Sequence, residues 1–149
     1  MSIRNDILAN LETALEGITV DAGYPITVNS VTRFWQNTNT LNGYREPLVM
    51  LLDGSPEEKV AQDASQYRYA FDLKLMGYVK TSTSETTHDE LNKLQAALKQ
   101  LIDSQPSLGA HCLALLFLGT DGNAFDEDQN QAWVTVNCRI IYWCDAGSF

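Results

Sequence analysis

The sequence predicts an α+β fold: a mixed, largely antiparallel sheet of about five strands with two helices packed on one face, in the order α-β-β-β-α-β-β. Three observations support it. Residues 66–79 alternate between apolar and polar side chains, residues 3–16 and the stretch after Thr87 carry apolar residues at helical spacing, and several short apolar runs end at Gly or Pro. A chain of 149 residues is expected to form one domain, here 1–149, around one core.

The long alternating stretch from Gln66 to Val79 is the strand around which the fold is predicted to be organised. At about 3.3 Å per residue it would be roughly 40 Å long, so a bend or bulge is expected near Gly77. Such a strand needs partners on both edges and a helix against its apolar face. The apolar face consists of Tyr67, Tyr69, Phe71, Leu73 and Leu75, and the opposite face of Arg68, Ala70, Asp72, Lys74 and Met76.

The chain begins with a predicted amphipathic helix over residues 3–16, which Ser2 or Asn5 can cap and Gly17 can end. A β-branched run over residues 26–34 predicts a strand with an irregularity near Ser30. The polar residues 35–46 predict either a hairpin tip or an exposed loop.

Residues 47–52 form a short, continuous apolar run, which is typical of a strand buried on both faces. Residues 53–66 predict an acidic loop that leads into the organising strand. After a polar linker over residues 80–87, Thr87 and Glu90 have the spacing of a capping box, and the following helix is expected to end before Pro106.

Two strands are predicted to close the fold. Residues 111–119 are apolar and predict a buried strand, whereas residues 132–143 alternate and predict a strand with one face in the core. The acidic segment 120–131 lies between them, and Asp121-Gly122 predicts the hairpin turn.

The formal charge of −9 disfavours a nucleic-acid groove, because an acidic surface repels phosphate. Three cysteines without CxxC spacing predict neither a disulfide framework nor a zinc site. The sequence shows no secretory leader and no apolar run long enough to span a membrane, so the protein is expected in the cytosol, with no membrane partner.

Catalytic patterns are weak. His111 and Cys112 are neighbours on a predicted strand, where adjacent side chains point to opposite faces, so they do not form a nucleophile and base. The acidic segment after Asp121 offers oxygen ligands, but Asp126 stands where an EF-hand loop requires Gly. We expect no enzyme, no cofactor and no metal site.

The polar segments and the tryptophans Trp35, Trp133 and Trp143 instead favour subunit interfaces. Arg68, Asp72 and Lys74 share a strand face and form either an exposed ionic row or contacts with another subunit.

The N-terminal helix, the runs PLVMLL and YRYAFDLKLMGYV, the helix HDELNKLQAALKQLID and the closing strands HCLALLFLG and WVTVNCRIIYW together resemble the tail terminator, or tail-completion, proteins of long-tailed bacteriophages. The resemblance covers nearly the whole chain and rests on the order, size and texture of the elements. It implies a virion protein of the tail or neck, assembled in the host cytoplasm.

The resemblance further implies a homo-oligomeric ring, typically a hexamer, that caps the tail-tube protein, stops tube growth and presents a docking surface to the head-tail connector. DNA would pass through the lumen without specific binding. No motif assigns residues to these roles; the candidates for interface or lumen loops are Trp35, Asn42, Tyr44, Arg45, Asp53, Glu57, Glu58, Arg68, Asp72, Asp126, Glu127 and Asp128.

Three alternatives stay open at this stage. A neighbouring neck or head-closure protein would share the size, acidity and ring symmetry. A cytosolic ligand-binding α+β domain would need a deep apolar pocket between helices and sheet. A small enzyme would need an acid inside that pocket, and Asp72, on the polar face, is poorly placed for it.

Overall fold

A computed structural model describes residues 2–33, 45–62 and 65–145. These ranges contain two helices, α1 (Ile3–Glu16) and α2 (Ser84–Asp103), and six strands: β1 (Ser30–Thr32), β2 (Leu48–Leu52), β3 (Glu58–Gln62), β4 (Gln66–Lys80), β5 (Cys112–Asp126) and β6 (Gln131–Asp145). The predicted α+β class is confirmed. No helix within these ranges has both the length and the apolar character needed to cross a membrane.

The six strands form one sheet in the order β1-β2-β4-β6-β5, and β3 pairs with β4 beside β2. Only β1 and β2 are parallel; every other pairing is antiparallel. The structure has one strand more than predicted, because β3 lies in the segment that was expected to be an acidic loop. All five residues of β3 are exposed, so its side chains show no apolar pattern. Backbone pairing with β4 is what orders it.

The organising strand β4 has partners on both edges, as predicted. It pairs with β6 from Gln66 opposite Asp145 to Lys80 opposite Gln131 without a register shift, so of the predicted bend or bulge near Gly77 the bulge is wrong. Gly77 serves another purpose. A Cβ atom at Gly77 would lie 2.6 Å from Leu94 Cδ2 on α2, so the glycine permits the close approach of α2 to the sheet.

Both helices pack on one face of the sheet, which we call the helix face; the other is the open face. The apolar residues of β4 and β6 alternate onto the helix face and are buried there together with the apolar stripes of α1 and α2. A second buried cluster lies on the open face and contains Leu48, Met50 and Tyr78. The two clusters explain why β2 is buried on both faces, as its apolar run predicts.

The helix boundaries follow from hydroxyl caps. Helix α1 begins after Ser2, whose Oγ accepts from the N–H of Asn5, in agreement with the prediction. Helix α2 begins at Ser84, four residues before the predicted start, because the Thr83 side chain caps it by accepting from the N–H of Thr86. The predicted capping box at Thr87 is therefore wrong. Thr87 is buried, and its hydroxyl donates to the carbonyl of Asn130 at 2.9 Å.

The N-terminal strand is shorter than predicted and β5 is longer. Of the predicted strand 26–34, only Ser30–Thr32 pairs with β2; Phe34 lies outside the described residues. Strand β5 continues to Asp126, and the hairpin turn is formed by residues 127–130 rather than by Asp121-Gly122. Most of β5 is exposed, so the prediction of a buried strand is wrong. The physical reason is its position: β5 pairs with β6 on one side and lies at the end of the sheet.

The close contact at Gly77 predicts a specific loss of stability. Gly77→Ala should lower the free energy of unfolding by about 1–3 kcal/mol, because the added methyl group overlaps Leu94 in a packed core. Denaturant-induced unfolding measures the change. Gly54→Ala is the matched control: its Cβ would meet nothing within 4 Å, and its effect should stay within about 0.5 kcal/mol. Equal effects of the two substitutions would contradict the packing argument.

Candidate functional site

The open face of the sheet carries a charged row across three strands. Asp72 on β4 accepts two hydrogen bonds from Arg139 on β6, from Nε at 2.7 Å and from Nη2 at 3.3 Å. Lys74 lies 3.4 Å from Asp121 on β5. The predicted ionic row therefore exists within the monomer, and Arg68 is an exposed residue near the start of β4 on the same face.

These contacts shift the pKa values of the carboxyl groups in the row. The side-chain hydrogen bond from Arg139 holds the pKa of Asp72 below its ordinary value. The pKa of Asp121 is also lowered, first by a hydrogen bond from Asn137 and then by the charge of Lys74. Both carboxylates are thus ionised at neutral pH and have hydrogen-bond or salt-bridge partners, as is typical of structural ion pairs on a protein surface.

The first group of candidate acids lies around the β2–β3 connection and is partly neutralised by Arg4. The Arg4 guanidinium donates to the backbone carbonyl of Asp53 at 2.7 Å and lies 3.4 Å from the Glu57 carboxylate. It also stacks over the ring of Phe71, 4.1 Å from the ring centroid. Asp53 and Glu57 therefore tie the start of α1 to the sheet, whereas Glu58 begins β3 and is exposed.

The second group of candidate acids lies at the β5–β6 turn. Asp126 ends β5, and Glu127 and Asp128 are exposed in the turn. The turn is held at the start of α2: Ser84 Oγ donates to Asn130 Oδ1 at 3.0 Å, and Asn130 Nδ2 donates to the Ser82 carbonyl at 3.1 Å. We call residues 126–128 the acidic turn. Its shape is fixed by the neighbouring helix. Glu127 and Asp128 are exposed, whereas the Asp126 carboxylate is half-buried and accepts hydrogen bonds from the Gln129 N–H and from Gln131 Nε2.

A ring contact supports the same turn from the side. His88 on α2 stacks on Phe125 with ring centroids 4.0 Å apart, and His88 Nε2 lies 3.9 Å from the Glu127 carboxylate. Phe125 is nevertheless 41% exposed. The stacking holds the ring in place without burying it.

Strand β5 exposes more large apolar side chains than any other element of the described chain. They lie on both faces: Leu116 is opposite Arg139 on the open face, and Phe117 is opposite Cys138 on the helix face. Sequence reasoning missed this surface, because an apolar run has the same pattern in a buried strand and in an exposed edge strand. We call the set the β5 edge; it comprises Leu113, Leu116, Phe117, Leu118 and Phe125.

The other candidates are distributed as follows. Trp35, Asn42 and Tyr44 lie outside the described residues. Arg45 is exposed just before β2, and its backbone N–H donates to Ser30 Oγ at 2.8 Å. The predicted set is thus spread over the β1–β3 side, the open face and the acidic turn, and the structure does not bring it together at one point.

The described tryptophans lie at the sheet ends. Trp133 packs on Tyr78, with ring centroids 5.6 Å apart, and burial raises the pKa of Tyr78 to about 12. Trp143 packs on His111, with ring centroids 4.3 Å apart. Both contacts are within the monomer.

The neighbouring His111 and Cys112 make separate contacts. His111 Nδ1 lies 3.0 Å from the Trp143 carbonyl, and burial raises the pKa of the Cys112 thiol. A protonated thiol is a poor nucleophile. Within residues 2–33, 45–62 and 65–145, no group of three or more His, Cys, Asp or Glu residues could hold a metal ion.

A cleft of about 470 Å³ lies between α1 and residues 108–111, and it is lined in part by Asp6, Asn10 and His111. It is open and partly polar, unlike the deep apolar pocket that the ligand-binding alternative requires.

The fold, an antiparallel-dominated sheet with two helices on one face, has a counterpart among solved structures. The chain aligns with a chain of the structure titled "Virion of native gene transfer agent (GTA) particle" with a TM-score of 0.56 and 15% sequence identity, covering 91% of this chain and 93% of that chain. The two share a fold over nearly their full lengths. No family model and no curated protein matches the sequence.

The Asp72–Arg139 pair predicts a pH-dependent stability difference. Asp72→Asn should destabilise the protein by less than about 1 kcal/mol at pH 7, because the pair is exposed. Since the folded pKa of Asp72 is lowered, its contribution is present above the ordinary value of 3.8 and is lost as the pH falls through the folded pKa. The difference between wild type and variant, measured by denaturant unfolding, should therefore vanish in acid. A double-mutant cycle with Arg139→Gln is the control, and coupling that persists in acid would refute the assignment.

Proposed function

We propose that this protein is a structural component of a phage-like virion and that it acts as a tail terminator. A fold shared over 91% of the chain with a chain of a gene transfer agent virion supports the first statement. The second rests on the resemblance of the elements to tail terminator proteins. In this role the protein binds the end of the tail tube, ends its polymerisation and provides the docking surface for the head connector.

A terminator must form a ring, and the sheet has the two unlike edges that a ring requires. The β5 edge is long and apolar, whereas the opposite side consists of the short strands β1 and β3. Closure of a ring is a heterologous contact, in which one edge of each subunit meets a different edge of its neighbour. Two unlike edges on opposite sides of a monomer are consistent with this geometry.

The net charge of −9 suits a ring through which DNA passes. Neutralising DNA phosphates with basic groups releases counterions and creates affinity, which would retain the DNA. An acidic protein avoids this retention. Arg4, Lys74 and Arg139 already pair with acidic side chains, which further lowers the number of basic groups free to bind phosphate.

Native mass spectrometry of the purified protein, alone and with the tail-tube protein of the same virion, tests the proposal. We expect a discrete ring of about six copies, either free or formed on tube ends. Electron microscopy of the mixture should show tubes capped at one end and no longer growing. A monomer that ignores tubes would contradict the proposal, and a ring that binds the connector but never the tube would favour the neighbouring neck protein instead.

A further inference from the structure

The first nine residues of β5, 112–120, contain no charged residue and no Pro, two features that usually protect an edge strand from other chains. Strand β5 contains no Lys, Arg or Pro within its 15 residues. Its exposed apolar side chains lie on both faces, and one of them, Leu118, is 48% exposed. Edge strands of soluble monomers are normally protected by charged side chains, Pro, β-bulges or a covering element. Strand β5 has bulges, and Lys99 of α2 lies 5.4 Å from the centroid of the Phe117 ring, but the apolar side chains of the β5 edge stay exposed. A partner that wraps the edge from both faces is therefore expected.

Register shifts shape the surface that this partner meets. Strand β5 has three of them, between Cys112 and Ala114, between Phe117 and Gly119, and between Asp121 and Ala124. The first two lie beside Leu113 and Leu118, the two most exposed leucines of the edge. Bulges disfavour an extended ladder with an arbitrary strand. The contact is therefore made mainly by side chains and selects a partner with a matching surface.

The register of the sheet shows which part of a second copy matches β5. Following the pairings across the sheet, Thr32 on β1 lies at the level of Asp121 on β5, and Ser30 lies at the level of Ala124. Strand β5 runs parallel to β4, and β1 runs antiparallel to both of them. If a second copy is displaced sideways within the sheet, its β1 side meets β5 with antiparallel strands at the same level.

Charges on the two sides match in this arrangement. Arg45 precedes β2 and lies at the same end of the sheet as the acidic turn. Arg33 directly follows Thr32, which lies at the level of Asp121. Neither arginine forms a salt bridge with another described residue. The acidic turn contains three carboxylates, of which Glu127 and Asp128 are exposed. One displacement thus brings two basic groups of one copy towards acidic groups of the next.

We propose that the β5 edge is the binding site for a second copy of this chain, which docks through its β1 side so that Arg45 of one copy faces the acidic turn of its neighbour. This inference deepens the proposed function, because it names the contact by which the ring closes. The apolar side chains of β5 supply the association free energy, and the charges set the orientation of the neighbouring copy.

The first experiment removes the apolar contact. The double variant Leu116→Glu and Leu118→Glu should raise the concentration at which assemblies form by at least about tenfold, measured by native mass spectrometry and sedimentation. Ala96→Glu is the control, because Ala96 is exposed on the side of α2 that faces away from the sheet and belongs to neither docking edge, and it should leave assembly unchanged. Circular dichroism and thermal unfolding verify that all variants fold. Assembly of the double variant at wild-type concentrations would overturn the proposal.

The second experiment tests the orientation by exchanging charges. Arg45→Glu and Asp128→Arg should each weaken assembly several-fold, and the combination should restore it, because the opposite charges face each other again across copies. Loss that is additive in the combined variant would overturn the head-to-tail arrangement. A discrete dimer that depends on Leu116 and Leu118 but not on Arg45 would show that two β5 edges pair with each other, and would overturn it as well.

The outcomes separate this interface from the proposed function. Assemblies that respond to the charge exchange but never bind a tail tube would support the interface and contradict the tail terminator role. Capped tubes formed by rings that are insensitive to all β5 and Arg45 substitutions would support the role and overturn the interface.

Discussion

The structure depends on the antiparallel ladder between β4 and β6. Its 15 pairs run without interruption, from Gln66 opposite Asp145 to Lys80 opposite Gln131. Because side chains alternate along both strands, this single register determines which residues lie in the core and which on the open face. It places Gly77 beneath Leu94, which sets the distance between α2 and the sheet, and it places Asp72 opposite Arg139. A slip by one residue would expose the core and bury the charged row.

Alternation made this part of the fold predictable from the sequence. Strands β4 and β6 each have one face in the core and one face with polar groups, so a period of two is visible in both. Strand β3 has no such pattern, since all its side chains are exposed and only its backbone is paired. The start of α2 was misplaced because several hydroxyls in succession can cap a helix, and the choice of Thr83 depends on Thr87 reaching Asn130, a residue distant in the sequence.

The candidate surfaces were less predictable, because their character depends on contacts between distant residues. Asp53 and Glu57 look like free acidic loop residues until Arg4, about 50 positions away along the chain, is seen to lie between them. The apolar run of β5 predicts a buried strand, and this prediction is wrong. Strand β5 lies at the end of the sheet, because the other edge of its partner β6 is already paired with β4. Asp72 lies on the face that strand alternation predicts. The turn between the closing strands was misplaced, because β5 continues through Asp121 and Gly122 as far as Asp126.

The acidic charge of the chain constrains how copies can associate. Subunits of net charge −9 repel one another over roughly a Debye length, about 8 Å at physiological ionic strength. Association therefore needs a contact whose free energy does not come from charge, and the β5 edge is the described surface with the required apolar area on both faces. Basic groups such as Arg33 and Arg45, which form no salt bridge with another residue of the described ranges, gain importance for the same reason. In the proposed assembly, an arginine on the β1 side attracts the acidic turn of the neighbouring copy, so a few charges are sufficient to specify the orientation.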